Sequence, residues 1–386
     1  MPPMLEGEER ETVDSVAPSW AAGLKATLDE LLHGELTEQS QVGLMIYDLT
    51  ADSVVYSYGA RQSLRPASVE KVLTAVVALK ELGGNYPLRT TLSYTGTVSD
   101  GVLWGDLWLR GEMDPLFDST DLRVFADSLR LLGIDSIAGQ LLLDRSMKDT
   151  LRLGEGWSWD DFDSNPPLSP LLYCGREGLE QAVSRTLQEL GISAPSAWME
   201  SVMPAEAVAL CERSHSIDQL LIRMMKKSDN LHAEAVFYQL GKQAGRYPKA
   251  SQSAARVERF VEQQGFSKSA FRVADGCGLS LYNYTTAEII VAALRYAYCD
   301  ESLHRHLRPT LPVAGLDGTL EKRLRGTAAF GNVRAKTGTV NRVSTLAGYA
   351  TSGEGHDIAF CIINQGLRSA AAAREMQDRV CIAICQ

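Results

Sequence analysis

A serine and a lysine stand three positions apart, at Ser68 and Lys71. The apolar residues that follow, at positions 69, 72, 73 and 76, have the i, i+3, i+4, i+7 spacing of a buried helix face. Pro66 disfavours helical geometry at Arg65, which predicts that the helix begins at or after the proline. Ser68 and Lys71 would then lie on one side of the first helical turn.

This pair has a structural interpretation and a chemical one. A serine at a helix start is a preferred N-cap, and Ser-x-x-Glu would form a capping box. Here the third residue after Ser68 is Lys71, and a cation in the first turn opposes the helix dipole. Serine becomes an effective nucleophile when a base takes its proton, and a lysine of lowered pKa at i+3 can be that base. Both interpretations stay open on this motif alone.

A second polar group, Ser228-Asp229-Asn230, interrupts a helical pattern that resumes at 231–240. A polar turn or a helix cap is its ordinary interpretation. The chemical interpretation is a hydroxyl that relays a proton, with an amide that holds a substrate carbonyl.

A third group, Lys336-Thr337-Gly338-Thr339, lies in a predicted strand over 333–340. An exposed strand can carry Lys and Thr without any function. Glycine inside a strand often marks the close approach of another backbone or a ligand. A lysine beside hydroxyls and free backbone N–H groups on an edge strand can hold an extended peptide that ends in a carboxylate.

Taken together and in this order, the three groups match the signature set of penicillin-binding proteins and serine β-lactamases. Further similar segments are 65–71, 105–116, 156–161, 275–280 with Asn283 and Thr285, and 333–340. With these segments the chain resembles, from about residue 40 onward, the D-alanyl-D-alanine carboxypeptidase/endopeptidase family, the low-molecular-mass class C penicillin-binding proteins.

The resemblance implies roles for the three groups. Ser68 would attack the bond between two terminal D-alanines of a peptidoglycan stem peptide, Lys71 would accept its proton, and Ser228 would protonate the leaving amine. The implied substrate-binding residues are Asn230, Lys336, Thr337, Gly338 and Thr339. β-Lactam antibiotics would act as covalent inhibitors, and neither a metal nor an organic cofactor is expected.

The chain also departs from the family in two respects, and it lacks one element of class A β-lactamases. The excursion between Ser68 and Ser228 is shorter than in the larger members, so it would hold one inserted domain and not two. Cys277 stands where the family usually has serine, and the Glu-x-x-Leu-Asn element of class A β-lactamases is missing. Two alternative functions remain: a β-lactamase or esterase on the same fold, and a non-catalytic peptidoglycan-binding module.

The elements that must position these residues predict an α+β fold. Helices are predicted over 20–36, 68–82, 121–132, 180–190, 216–225, 231–240, 254–264, 286–298 and 370–384, and strands over 42–47, 53–58, 90–94, 103–109, 140–144, 333–340, 345–350 and 358–364. The last three strands follow one another with short turns and should be antiparallel. The resemblance adds a DD-peptidase/β-lactamase-like sheet flanked by helices. We expect one peptidase-like domain from 1–87 and 206–386, with a smaller inserted domain at 88–205.

Composition narrows the classes of function. The 386 residues are 45% hydrophobic and carry a formal net charge of -10, which disfavours a nucleic-acid binder. The sequence has no stretch of about 18 uncharged apolar residues, so it predicts no membrane span. The seven cysteines have no zinc-ligand spacing. Residues 1–9 are acidic and do not resemble a signal peptide, which indicates either a cytosolic protein or a mature or trimmed form. The resemblance alone implies the periplasm.

Overall fold

The computed structural model describes residues 20–158, 161, 165–242 and 245–386. The predictions for residues 1–9 and for Trp159 and Asp160 fall outside these residues. The strands are β1 Gln41–Asp48, β2 Ser53–Tyr58, β3 Pro87–Tyr94, β4 Thr97–Ser99, β5 Val102–Trp104, β6 Leu107–Gly111, β7 Ser136–Ile137, β8 Leu141–Asp144, β9 Trp198–Glu200, β10 Val208–Ser216, β11 Arg334–Val340, β12 Val343–Thr351 and β13 Asp357–Gln365. The α-helices are α1 Trp20–Leu32, α2 Glu35–Gln39, α3 Glu70–Glu81, α4 Ser119–Leu132, α5 Leu179–Glu189, α6 Ile217–Lys226, α7 Asn230–Gly241, α8 Ala250–Gln263, α9 Ala287–Cys299, α10 Glu301–Leu307 and α11 Ala370–Cys385.

The main sheet joins the two ends of the described chain. Its strand order is β11-β12-β13-β1-β2, and every neighbouring pair is antiparallel. β12 and β13 are buried over almost their whole length because helices cover both faces. α9 packs on one face, where α3 and α7 complete the same apolar core, and α1 and α11 pack on the other face. The prediction of an antiparallel sheet flanked by helices is confirmed.

A second five-stranded sheet is built from the excursion, in the order β10-β3-β6-β8-β9. α4 and α5 pack on this sheet around a separate apolar cluster. β10 pairs antiparallel with β3 from Val208 opposite Tyr94 to Ser216 opposite Pro87. The segment that we assigned to the returning peptidase part from residue 206 therefore begins with a strand of this second sheet.

One predicted strand is two strands in the structure. Residues 103–109 divide into β5, in a three-stranded sheet with β4 and β7, and β6, in the second sheet. The division falls at Gly105, where a Cβ would run into the backbone of Thr95. Glycine is required there because two segments of backbone meet closely. Among the described residues, no helix has the length and apolar composition that crossing a lipid bilayer requires.

Candidate active site

Ser68 lies in a 3-10 turn, Ala67–Val69, that leads directly into α3. The predicted helix face is confirmed, because Val69, Val72 and the later apolar residues of α3 are buried in the main core. The N-cap of α3 is Val69, and no side chain caps the helix. The capping interpretation of Ser68 is therefore wrong.

The backbone before Ser68 is held in an unusual conformation. Ala67 has a φ of 46°, a value that non-glycine residues seldom adopt. Gly278 packs against the carbonyl of Ala67 so closely that a Cβ at this position would overlap it. On the other side, the Thr345 hydroxyl donates to the Pro66 carbonyl at 3.0 Å. A loop and a strand thus fix the turn that presents the Ser68 hydroxyl.

Lys71 is fully buried, and its amine reaches three oxygen atoms. Nζ lies 2.9 Å from Ser68 Oγ, 2.8 Å from Asn230 Oδ1 and 2.7 Å from the carbonyl oxygen of Cys277. The amide and carbonyl oxygens can only accept, so they take two N–H groups. A neutral amine has two such groups and a lone pair, which is then left for the Ser68 hydroxyl. Burial lowers the pKa of Lys71 and favours this neutral form.

A second buried lysine lies on the other side of the site. Lys336 Nζ donates to Ser228 Oγ at 2.8 Å and to the Thr337 carbonyl at 2.5 Å. Burial, and then the charge of Lys71, hold the pKa of Lys336 well below its usual range. Ser228 itself has a φ of 59°, in the sparsely populated region where strained functional residues are often found.

Asn230 is the first residue of α7, and hydrogen bonds fix its amide at both ends. Oδ1 accepts from Lys71, and Nδ2 donates to Asn165 Oδ1 at 2.9 Å. The preceding Asp229 caps the helix by accepting from the His232 backbone N–H. Burial alone would raise the pKa of Asp229, but hydrogen bonds from His232 and Arg223 outweigh it and hold the pKa well below its usual range.

Gly338 brings the edge strand β11 against the serine. A Cβ on Gly338 would lie 2.8 Å from the Ser68 backbone nitrogen and still closer to Thr345 Oγ1. The outer edge of β11 is bridged to Val313 at Arg334, and its Ala335 N–H donates to the Pro312 carbonyl, whereas no described strand pairs with this edge from Thr337 to Thr339. Thr337, Gly338 and Thr339 line a cavity of about 410 Å³ beside this edge.

The three predicted groups therefore meet at one place. Ser68, Lys71 and Asn230 form one hydrogen-bonded group, and Ser228 and Lys336 form a second whose lysine lies close enough to feel the charge of Lys71. Thr337, Gly338 and Thr339 continue along the strand from Lys336. A larger cavity, of about 970 Å³, extends from Ser228 and Asn230 to residues 115–118 and 174–176 of the excursion. Such a cleft, with a serine bonded to a buried amine, can support acyl transfer. The catalytic and substrate-binding roles of these residues stay predictions.

The sequence analysis missed three contributors to this site. Cys277 lies in the family-like segment 275–280, but the sequence gives no sign that its carbonyl contacts Lys71, and Asn165 belongs to no motif. The third is Asp275, which shapes the loop behind the lysine. Its carboxylate accepts from Gly278 N, Ser280 N, Asn283 Nδ2 and Trp157 Nε1 at 2.6 to 2.8 Å.

Glu234, Asp275 and Cys277 lie close enough together to be considered as metal ligands. The contacts argue against a metal. Both oxygens of Asp275 already accept from N–H donors, and Glu234 accepts from Gly276 N at 2.9 Å. Burial, and then the charge of Asp275, raise the pKa of Glu234 to about 8, so this carboxyl is largely protonated at neutral pH.

Comparison with known proteins identifies the family. The profile of the D-Ala-D-Ala carboxypeptidase 3 (S13) family matches residues 24–172 and 175–383. The D-alanyl-D-alanine carboxypeptidase DacB of Haemophilus influenzae is 26% identical over 84% of this chain and 85% of its own. The crystal structure of penicillin binding protein 4 (dacB) from Haemophilus influenzae aligns with a TM-score of 0.83 and 24% identity, over 92% of this chain and 98% of the other.

The fold is also similar to that of a more distant protein. A class A β-lactamase from Bacteroides cellulosilyticus aligns with a TM-score of 0.51 and 13% identity, over 96% of this chain and 98% of the other. The predicted DD-peptidase/β-lactamase-like fold is confirmed, and so is the family resemblance. The chain belongs to the D-Ala-D-Ala carboxypeptidase 3 (S13) family of peptidases.

Proposed function

We propose that the protein hydrolyses the terminal D-Ala-D-Ala bond of peptidoglycan stem peptides through an acyl-enzyme on Ser68. Family membership supports the reaction class. The observation that carries the mechanism is the position of Lys71, whose buried amine lies 2.9 Å from Ser68 Oγ and gives its other hydrogen bonds to two obligate acceptors. This arrangement suits a general base that removes a proton from the nucleophile.

The acylation step follows from these contacts. Ser68 Oγ attacks the carbonyl carbon of the penultimate D-alanine while its proton passes to Lys71. The negative charge on the carbonyl oxygen would be stabilised by the backbone N–H groups of Ser68 and Thr339, which the close packing of Gly338 keeps near each other. Removing one such donor typically costs about 3–4 kcal/mol in the transition state.

Collapse of the tetrahedral intermediate breaks the C–N bond. The leaving amine of the terminal D-alanine takes a proton from Ser228, which accepts a hydrogen bond from Lys336. The proton that Lys71 removed from Ser68 replaces it on Ser228, so both side chains return to their starting protonation states. Lys336, Thr337 and Thr339 bind the terminal carboxylate, and Asn230 holds an amide of the acyl part. Water then attacks the ester, and its hydrolysis releases the shortened stem peptide and restores the Ser68 hydroxyl.

The same site would also accept two further kinds of ligand, β-lactams and cross-linked peptides. β-Lactams would acylate Ser68 because they mimic the D-Ala-D-Ala end. The 970 Å³ cavity beside Ser228 leaves room for the second peptide of a D,D cross-link.

The substrate lies outside the cytoplasmic membrane, so we place the protein in the periplasm. We retain the division into a peptidase domain and an insert, with the pairing of β10 and β3 favouring a return at Ser216 instead of residue 206.

The test is covalent labelling together with product analysis. A fluorescent penicillin should label the protein at Ser68, as read by peptide mass spectrometry, and the protein should release D-alanine from a stem-peptide mimic. Ser68→Ala should abolish both, whereas Ser57→Ala, an exposed serine on β2, should leave both unchanged.

Three other results would contradict the proposal. Rapid turnover of a chromogenic β-lactam without D-alanine release would assign the chain to the β-lactamases or esterases. Wall binding with neither labelling nor D-alanine release would assign it a binding role. Labelling that persists in Ser68→Ala would remove Ser68 as the nucleophile.

A further inference from the structure

A third cavity, of about 280 Å³, lies at the far end of β11 from Thr339. The residues that matter here are His304, Arg308, Asn332, Arg334, Tyr349 and Asp357. They come from α10 and the turn after it, from the start of β11, and from β12 and β13. At about 3.3 Å per residue, Arg334 and Thr339 are about 17 Å apart along the strand. None of the proposed catalytic residues lines this cavity.

Among the described residues, no carboxylate lies within ion-pair distance of the two arginines in this cavity, and the charge of Asp317 acts on Arg334 only from farther away. Neither Arg308 nor Arg334 forms an ion pair within the described part of the chain, and the buried Nε atom of Arg334 has no hydrogen-bond acceptor. The nearby carboxylates are engaged elsewhere. Asp357 accepts from the Tyr298 hydroxyl at 2.8 Å, and Asp317 accepts from Lys226 at 2.7 Å. Buried donors without acceptors are uncommon and require an explanation.

The cavity carries an excess of positive charge. Burial, and then the charge of Arg308, lower the pKa of His304, so its imidazole is neutral at neutral pH. Its Nδ1 atom is buried and also lacks a partner. With a neutral histidine, two arginines and one aspartate give a net charge of +1. Burial is the main cause that lowers the pKa of Arg334, and repulsion by the charge of Arg308 is the next.

We propose that this cavity binds a small oxyanion, either a carboxylate or a phosphate. A guanidinium group presents a planar pair of N–H donors that matches both kinds of oxyanion, and the bonds are strengthened by charge. The anion would accept from the free donors of Arg308 and Arg334 and would relieve their mutual repulsion. It would also connect the turn after α10 to the start of the strand that carries Lys336.

Calorimetric titration of the whole protein tests this site. The probes are inorganic phosphate and malonate, each at constant ionic strength with chloride as the balancing anion. We expect saturable binding of at least one probe at one site per chain, and the stronger probe identifies the kind of oxyanion. Arg334→Gln and Arg308→Gln should each weaken binding by about tenfold or more, because each removes charge-assisted hydrogen bonds. Arg259→Gln, an exposed arginine on α8, removes the same charge and should leave binding unchanged.

A second measurement reports on the site itself. A bound anion should raise the pKa of His304, which an NMR titration of its ring resonances would detect. If Arg334→Gln does not fold, Arg308→Gln carries the same test, because Arg308 is exposed. The inference is overturned if neither probe binds saturably at tens of millimolar, or if Arg259→Gln weakens binding as much as the two cavity variants. Because the readout is binding, it does not depend on peptidase activity.

Discussion

Gly338→Ala should test the geometry of the site, because it changes the position of β11 and leaves every proposed catalytic and substrate-binding group in place. The added Cβ would lie 2.8 Å from the Ser68 nitrogen, whereas ordinary contacts begin near 3.4 Å. β11 must therefore retreat by about 0.6 Å from Ser68, and further from Thr345 Oγ1. Thr345 cannot easily turn away, because its hydroxyl is bonded to the Pro66 carbonyl.

This retreat would separate the two backbone N–H groups of the proposed oxyanion hole. A displacement of about 1 Å can cost about 100-fold in rate, which corresponds to about 2.7 kcal/mol. We expect the second-order acylation rate with a fluorescent penicillin to fall by about this factor. Overpacking should also lower the free energy of unfolding in urea by about 1–3 kcal/mol.

Two further variants separate these effects. Adding Thr345→Ala to Gly338→Ala removes the worse overlap, so stability should partly recover while acylation stays slow, because the overlap with Ser68 remains. Gly23→Ala, at an exposed helical position with open space around it, should leave acylation unchanged and should raise the free energy of unfolding by up to about 1 kcal/mol. If Gly338→Ala acylates within about threefold of the natural protein, the proposed oxyanion hole is refuted.

Two further predictions concern pH. Because burial lowers the pKa of Lys71, the acylation rate should rise with pH as Lys71 loses its proton, and the midpoint of this rise should lie below the usual lysine pKa of about 10.4. Lys71→Arg should be inactive at every pH, because arginine stays protonated. A midpoint at the ordinary lysine value, measured over pH 6 to 11, would contradict the role of Lys71 as a base. The second prediction concerns stability. Burial raises the pKa of Glu234 from 4.5 to about 8, so the folded protein holds this proton more tightly than the unfolded chain does. The resulting stability is present below pH 4.5 and is lost as the pH rises through 8, so the free energy of unfolding in urea should fall over this range. Glu234→Gln should decline less steeply, and an equally steep decline would contradict the assignment.

Local pattern was enough to predict the elements that carry the three motifs. The periodicity at 69, 72, 73 and 76 predicted α3, and the apolar runs separated by short turns predicted β11, β12 and β13. Both signals lie within a few residues of the chain. The order of the motifs then indicated that Ser68, Ser228 and Lys336 meet, although the distances between their side chains required the structure.

The elements that escaped prediction depend on distant partners. β10 has a polar sequence with little apolar alternation, and it is a strand because it pairs with β3, more than a hundred residues away. The division between β5 and β6 depends on the approach of Thr95 to Gly105. Likewise, a backbone carbonyl such as that of Cys277 can bind Lys71 whatever its side chain is, so the residue type gives no signal.

The pairing of Pro87 with Ser216 has a consequence for the architecture of the chain. Neighbouring strands lie about 5 Å apart, so the excursion leaves and rejoins the main body at almost the same point. For the packing of the main body, the long segment between Pro87 and Ser216 therefore acts as a tight turn between α3 and α6 would. Changes in the length of the excursion can therefore be absorbed without shifting Ser68 relative to Lys336, while Asn165 and Trp157 connect the excursion to Asn230 and to the loop behind Lys71.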